Sequence, residues 1–277
     1  MDDIKLMDCD GCDLVRYCSD VCRQDHKSEH EEACKKRAAE LRDELLFKQP
    51  ESSHRGDCPI CSLPMPLERE KTTIFECCGK VICNGCVHAN FRREAERRLQ
   101  HTCPFCRDPV AKTDEECDKQ IMKRIEMNDP NAMHKKGAEK YREGDYQSAF
   151  EYFTKAAEFG DGEAHNKLAC LYHLGQGVEK NKEKEIHHFE EAAIAGHPQA
   201  RYELGRHEWN SDNTERAVKH WLIAASQGFD LSIKALMNRF SEGHVRKEEL
   251  AAALRAHKAA VDAIKSPQRE ETALAIG

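Results

Sequence analysis

Fifteen cysteines in a chain of 277 residues limit what it can fold into more than any other feature, because thirteen of them fall between Cys9 and Cys106. The other two are Cys117 and Cys170. The N-terminus, Met1-Asp2-Asp3-Ile4-Lys5, carries no signal-peptide pattern, so an intracellular, reducing setting, cytoplasmic or nuclear, is expected. Disulfides do not persist there, and cysteine pairs at C-x2-C spacing read instead as zinc ligands. Such a turn presents two thiolates from one tight knuckle of backbone, and tetrahedral zinc asks for four donors, at about 2.3 Å when they are sulfur. Segments rich in cysteine and poor in large apolar residues draw their folding free energy from the metal.

Composition narrows the function classes. Charged residues make up 34% of the chain, hydrophobic ones 39% and aromatic ones 6%, with a mean hydropathy of −0.78. That balance argues against one large apolar core and for small modules or repeats. No run approaches the roughly 18 consecutive apolar residues a membrane helix needs, so no membrane partner is expected. The formal net charge of −7 argues against general nucleic-acid binding. Arg92-Arg93 and Arg97-Arg98 do cluster, but Glu94 and Glu96 interleave with them, as suits a solvated helix face.

The chain divides into a Cys/His-rich start (1–34), a helical linker (35–56), a second cysteine cluster (57–110), a polar linker (111–130), a patterned region (131–265) and a tail expected to fray (266–277). Ala38, Leu41 and Leu45 lie at helical spacing in the first linker, which Pro50 and Ser52-Ser53 close.

The second cluster holds Cys58-x2-Cys61, Cys77-Cys78, Cys83-x2-Cys86 and Cys103-x2-Cys106, eight thiols, enough for two four-coordinate zinc sites. It resembles a RING domain at Cys58-Pro59-Ile60-Cys61, at Cys78-Gly79-Lys80-Val81-Ile82-Cys83-Asn84-Gly85-Cys86 and at Cys103-Pro104-Phe105-Cys106-Arg107. The resemblance implies a cross-brace, with Cys58, Cys61, Cys83 and Cys86 on one zinc and Cys77, Cys78, Cys103 and Cys106 on the other. Most RINGs carry His where Lys80 stands. Either both Cys77 and Cys78 ligate through a bent backbone, or His88 or His101 swings in, or the second site is weak. RING domains are ubiquitin ligases without a nucleophile of their own, and act by holding a charged ubiquitin-conjugating enzyme in a reactive orientation. The resemblance implies that Ile60, Pro104 and Phe91 contact that enzyme, with Arg107 bonding to enzyme and ubiquitin. The plainer alternative makes the module a docking platform, with Ile60 and Phe105 in a tiny core and Arg107 a solvated charge.

The first cluster reads Cys9-x2-Cys12-x5-Cys18-x3-Cys22-x7-His30-x3-Cys34. From its second cysteine pair onward, including Tyr17-Cys18-Ser19 and the closing His30-x3-Cys34, it resembles a partial MYND-type zinc finger. The resemblance implies one complete site from Cys9, Cys12, His30 and Cys34. Cys18 and Cys22 belong to a second site whose first C-x2-C is missing upstream of Cys9, so either the chain begins inside the domain or the half-site is vestigial. His26, one helical turn from Cys22 and from His30, offers a third ligand. MYND fingers mostly bind short proline-rich peptides, although Lys27 replaces the family's Trp here. About three zinc ions are expected in all.

The patterned region repeats. Ala156-Ala157-x2-Gly160 recurs as Ala192-Ala193-x2-Gly196 and Ala224-Ala225-x2-Gly228, at steps of 36 and 32 residues. Each motif follows a matching first helix, as in Leu168-Ala169-x2-Tyr172-x2-Gly175 and Tyr202-x-Leu204-Gly205. Two helices per period, with Ala at close approaches and Gly at turns, describe a helical solenoid. The motifs resemble Sel1-like repeats, relatives of the tetratricopeptide class, about four in number with a degenerate unit from Ser232 to Lys265. Tyr141, Phe150, Phe153, Tyr172, Phe189, Trp209 and Trp221 are read as packing between helices. His187-His188, His220, Cys117 and Cys170 have no ligand partners at metal spacing, and no phosphate loop or Ser/His/Asp arrangement is present.

The expected fold is therefore mainly α, a C-terminal solenoid of Sel1-like, TPR-like hairpins behind small zinc-stabilised modules. The function implied is a RING-type ubiquitin ligase whose repeats recruit a protein client. The alternative is a non-catalytic, zinc-dependent protein-interaction scaffold.

Overall fold

The computed structural model describes residues 7–9, 12, 16–17 and 20–276, without the side chains of 7–8, 16–17, 20, 22–23, 25, 27–29 and 274–276. The chain forms two compact units, residues 1–48 and 49–277.

In the first unit, strands β1 (Met7–Asp8) and β2 (Arg16–Tyr17) pair antiparallel, with Met7 opposite Tyr17. Helix α1 (Asp20–Leu46) runs unbroken past residue 34, so the helical linker expected there continues the finger's own helix. Its charges support one another along the surface, as where Arg37 reaches Glu44 at 3.0 Å.

The second unit opens with the eight-cysteine module. Asp57 bridges to Pro64, a 3-10 turn at Arg69–Lys71 leads into β3 (Thr72–Ile74), and β3 pairs antiparallel with β4 (Val81–Cys83). Helix α2 (Asn84–Glu96) starts directly after Cys83, and Thr102 bridges back to Pro109. Besides cysteines, the core cluster holds Met65, Phe75, Ile82 and Val87 as buried apolar side chains, too few to fold so short a segment alone.

The stretch expected as a polar linker contains helix α3 (Asp114–Glu126). Thr113 caps it by accepting a hydrogen bond from the Glu116 amide at 3.2 Å, and Asp114, Glu115 and Glu116 place negative charge at its positive end. Ile121 is the buried anchor, and the helix packs on the one that follows. Capping and one anchor suffice because a neighbour is there to receive it, which hydropathy along the sequence does not register.

Four helical hairpins follow: α4 (Pro130–Glu143) with α5 (Tyr146–Glu158), α6 (Gly162–Leu174) with α7 (Lys182–Ile194), α8 (Pro198–Asn210) with α9 (Thr214–Ser226), and α10 (Asp230–Ser241) with α11 (Lys247–Ala263). Each pairs internally and packs on its neighbour. The fold is mainly α and solenoidal. Both alanines of every Ala-Ala-x2-Gly motif are buried where helices meet, and Gly160, Gly196 and Gly228 take φ of 80°, 87° and 85° at the turns. The aromatics pack as expected: Phe153, Tyr172, Phe189 and Trp221 are buried, Phe150 meets Tyr172 edge-on at 5.6 Å, and Trp209 lies 5.8 Å from Trp221.

The tail does not fray as expected. Helix α12 (Pro267–Ile276) returns across the unit and packs on α2 of the cysteine module.

Candidate metal centres

Two of the cysteine knuckles are built alike. The Ser62 amide donates to the Cys58 carbonyl at 2.8 Å, and the Arg107 amide to the Cys103 carbonyl at 3.0 Å. The residue after each pair, Ser62 (φ 55°) and Arg107 (φ 67°), is left-handed, a conformation costing about 1–2 kcal/mol outside glycine. Both positions accept it because the turn it closes aims two sulfurs at a common point.

The structure gathers the cysteines into three groups, each with four ligand atoms within 4.8 Å of one another. Cys58, Cys61, Cys83 and Cys86 form one, with Cys58 to Cys86 at 4.0 Å and Cys61 to Cys83 at 3.9 Å. Cys77, Cys78, Cys103 and Cys106 form the second, with Cys78 to Cys103 at 3.7 Å and Cys77 to Cys106 at 3.3 Å. Cys9, Cys12, His30 and Cys34 form the third, with Cys9 to Cys34 at 3.6 Å and Cys12 Sγ to His30 Nε2 at 3.2 Å. Four sulfurs around one zinc stand about 3.8 Å apart, as 2.3 Å bonds at tetrahedral angles require. A disulfide needs about 2.0 Å, and the described cysteines are all free thiols. The spacing and the donors fit zinc.

The electrostatics point the same way. Burial pushes the Cys58 thiol up, but hydrogen bonds from the backbone at Cys83, Cys61 and Ile60 outweigh it and hold the thiol down at about 7. Cys103 is lowered against burial in the same manner, by Cys106 and Phe105. Burial and neighbouring sulfurs push Cys77 and Cys86 far up, and Cys78 to about 11. Each of the two all-cysteine groups therefore pairs one lowered thiol with others that burial and neighbouring sulfurs push up, thiols that a bound cation would help to ionise.

His88 and His101 belong to neither group. The His101 ring stacks on Phe91 at 4.5 Å and faces Glu94 at 3.4 Å. Lys80 lies over the Phe105 ring at 5.7 Å. His26 stacks on His30 at 5.6 Å and is in no ligand group, whereas Cys18 and the Cys22 side chain lie outside the described residues. Of the four residues expected at a conjugating enzyme, Ile60 and Arg107 are exposed. Arg107 Nη1 donates to Asn90 Oδ1 at 2.9 Å, Pro104 is buried, and Phe91 is half-buried with its edge toward Phe75.

A further cluster, His54, Glu163 and His197, was not singled out from the sequence. Glu163 Oε2 lies 3.2 Å from His54 Nε2 and 3.5 Å from both His197 Nε2 and Arg55, and Glu163 Oε1 lies 3.5 Å from Arg69. His197 caps α8 by accepting the Ala200 amide at Nδ1, 3.2 Å away, which leaves its proton on Nε2 and that nitrogen unable to ligate a cation. With two guanidiniums also on the carboxylate, this is a polar joint. His54 and Arg55 come from the first linker, Arg69 from the cysteine module, and Glu163 and His197 from the solenoid. Burial opposes the Glu163 charge, but His197, His54 and Arg69 hold its pKa well below the usual range, while burial lowers His54 to about 4. The available signal was positional: Asp161 and His197 both follow a turn glycine as helix caps, which brings the residues after them to one end of the stack.

The MYND finger profile matches residues 2–34, and the Sel1 repeat profile matches 132–161, 162–197 and 198–229. The chain carries a MYND finger and Sel1 repeats. The MYND finger and the cysteine groups together fit zinc binding. The Sel1 matches cover the first three hairpins, so α10 and α11 form a fourth beyond them, and neither profile reaches residues 57–110. Helicobacter pylori (strain J99) HcpC, described as a candidate beta-lactamase, is 39% identical over 56 residues, 20% of this chain and 19% of its own length. A Sel1 repeat protein from Oxalobacter formigenes is 28% identical with a TM-score of 0.48, over 56% of this chain and 66% of that one. A protective antigen of uropathogenic Escherichia coli displaying an SLR fold is 22% identical with a TM-score of 0.41, over 58% and 36%. The match thus spans about a fifth of the curated relative and under two thirds of either solved chain. No helix among the described residues is long and apolar enough to cross a membrane.

Proposed function

We propose that this chain is a zinc-dependent protein-interaction scaffold. Cys9, Cys12, His30 and Cys34 would hold one zinc, Cys58, Cys61, Cys83 and Cys86 a second, and Cys77, Cys78, Cys103 and Cys106 a third. Zinc supplies cross-links in place of a hydrophobic core, and the chain's own knuckles aim the sulfurs. The observation that carries the reading is the joint at Glu163, which ties the linker and the cysteine module to the second Sel1 repeat, whose His197 caps α8. Sel1 repeats generally mediate protein–protein interaction, and a rigid joint lets module and repeats present one composite surface. A cleft of about 920 Å³ between Met65 and Leu67 of the module, Val261 and Ile264 of the last hairpin, and Ala273 of α12 offers apolar walls for a partner's side chains.

A second reading, a RING-type ubiquitin ligase, is favoured by one observation: the first and third cysteine pairs converge, as do the second and fourth, with Ile60 and Arg107 exposed beside them. Against it, Pro104 is buried, Phe91 packs inside the module, and Arg107 is held by Asn90. The deciding experiment follows discharge of ubiquitin from a panel of charged conjugating enzymes, with the intact protein and with Ile60→Ala, each assayed for three zinc ions per chain. The scaffold reading expects full metal and no acceleration. Acceleration that Ile60→Ala abolishes would overturn it in favour of the ligase.

A further inference from the structure

Helix α12 does more than end the chain. Its Arg269 reaches the loop that carries Cys58 and Cys61: Nη1 donates to the Pro64 carbonyl at 2.8 Å, and Nη2 lies 3.4 Å from the Leu63 carbonyl and 3.5 Å from Cys61 Sγ. Nη1 also donates to the Ile264 carbonyl at 2.7 Å, tying that loop to the end of the solenoid. The helix sits directly on the opposite knuckle. A Cβ built on Gly85, between Cys83 and Cys86, would lie 2.9 Å from Arg269 Cγ and 3.0 Å from its Cα and amide nitrogen, so only glycine permits the approach. Thr272 is buried in the same contact, and Arg92 of α2 pairs with Glu271 at 3.1 Å. Both halves of one cysteine group, the Cys58–Cys61 loop and the Cys83–Cys86 knuckle, are thus gripped by one helix from the far end of the sequence.

We infer that α12 is a clasp for the Cys58, Cys61, Cys83 and Cys86 zinc site, with Arg269 as its positioning residue. The inference rests on the zinc reading of that group. Four thiolates around one divalent cation leave an excess of roughly two negative charges, and a guanidinium donating to a ligand sulfur offsets part of it. Arginine suits the place because its planar fork reaches three carbonyls and a sulfur at once, which a lysine ammonium cannot match in geometry. Partners just outside a metal's ligands typically change its affinity by about 10–100-fold. The coupling is reciprocal: what holds zinc on these cysteines also holds α12 on α2.

The test uses the full chain. Zinc transfer to a chromophoric chelator is timed in the wild type, Arg269→Ala, Arg269→Lys and Gly85→Ala, with Cys86→Ser and Cys106→Ser identifying which phase belongs to which site. Total zinc is measured alongside. The expected result is that Arg269→Ala and Gly85→Ala speed one phase, the one missing in Cys86→Ser, about tenfold or more, with Arg269→Lys in between. Hydrogen exchange over 267–276 reads the reverse coupling, and protection there is expected to be lost in Cys86→Ser and kept in Cys106→Ser. Full zinc content with unchanged release in both Arg269→Ala and Gly85→Ala would overturn the clasp alone. A wild-type chain with no zinc on the Cys58 group would overturn the zinc reading and the clasp with it.

Discussion

Between Asp57 and Val110 the interior is mostly sulfur, whereas between Pro130 and Ala263 it is alanine, leucine and aromatic carbon. In the first region, Met65, Phe75, Ile82 and Val87 form the carbon part of a core cluster shared with cysteines. In the second, Phe153, Leu168, Trp221 and Leu236 sit with alanine pairs in layers that each hairpin shares with the next. The cysteine module therefore depends on something outside its own apolar contacts, namely metal and the surrounding chain. Glu163 grips it through Arg69, the linker's Arg55 on the same carboxylate donates to Thr72 at 3.1 Å, Asn131 of α4 donates to the Gly79 carbonyl at 3.1 Å, and α12 holds the first knuckle. The solenoid stabilises itself by burial and then supports the module.

The largest effect should come from stripping zinc. Structural zinc contributes about 10–16 kcal/mol in small fingers, a large share of what holds a module with so few buried apolar side chains. A strong chelator should abolish exchange protection in β3, β4 and α2 and release α12, while far-ultraviolet circular dichroism retains most of the helix of α4–α11. Collapse of the whole helical signal would break the contrast and make the solenoid dependent on the module.

The converse cut is Phe153→Ala, at a fully buried ring in the first hairpin. About 3–5 kcal/mol of stability should be lost, seen as a lower midpoint in urea, with three zinc ions still bound in the native protein. Loss of zinc from the folded variant would mean that the two regions share one cooperative core.

Acid should separate them in a different way. Burial, with nearby positive charge, lowers His188 to about 4 and His220 to about 3, below the ordinary unfolded value of 6.5. Below pH 6.5 the unfolded chain binds protons that the folded repeats refuse, so stability is full above that value and falls as pH approaches 4. From pH 7 to pH 5 the loss should be about 2 kcal/mol for His220 and smaller for His188, whose ring is partly open to screening by solvent. Thermal melting of the chelator-treated protein reads the repeats alone. His188→Gln and His220→Gln should each flatten the profile, and an unchanged slope in both would locate the acid sensitivity elsewhere.

The smallest effect belongs to α3. Thr113→Ala removes the cap on the Glu116 amide and should cost about 1 kcal/mol, read as increased exchange in the first turn of α3 with the midpoint of the solenoid unmoved. A larger drop would show that α3 is part of the solenoid's cooperative unit.

Much of this contrast was legible in the residues. The C-x2-C spacings marked the knuckles because chelation is set by local backbone, whereas the convergence of Cys58 and Cys61 with Cys83 and Cys86 needs the folded module. The Ala-Ala-x2-Gly motifs marked the solenoid because each repeat's apolar stripe and turn are local and recur. Among the open choices, Cys77 lies with Cys78, Cys103 and Cys106, while His101 stacks on Phe91 and turns Nδ1 toward Glu94. Exposure is not written in a motif: of the residues expected at a conjugating enzyme, Pro104 is buried and Phe91 half-buried.

By itself, then, the sequence determined the two kinds of core, sulfur and carbon, and the period at which the helices stack. Only the tertiary structure decided that a polar link would cap itself into α3, that His54, Glu163 and His197, 109 and 34 residues apart in turn, would meet, and that the last ten-residue helix would close on the first knuckle. Local preferences and periodic patterns are carried by neighbours in sequence. A buried carboxylate, or a guanidinium beside a thiolate, is stable only where distant segments remove water and supply the opposite charge, and that requires the assembled fold.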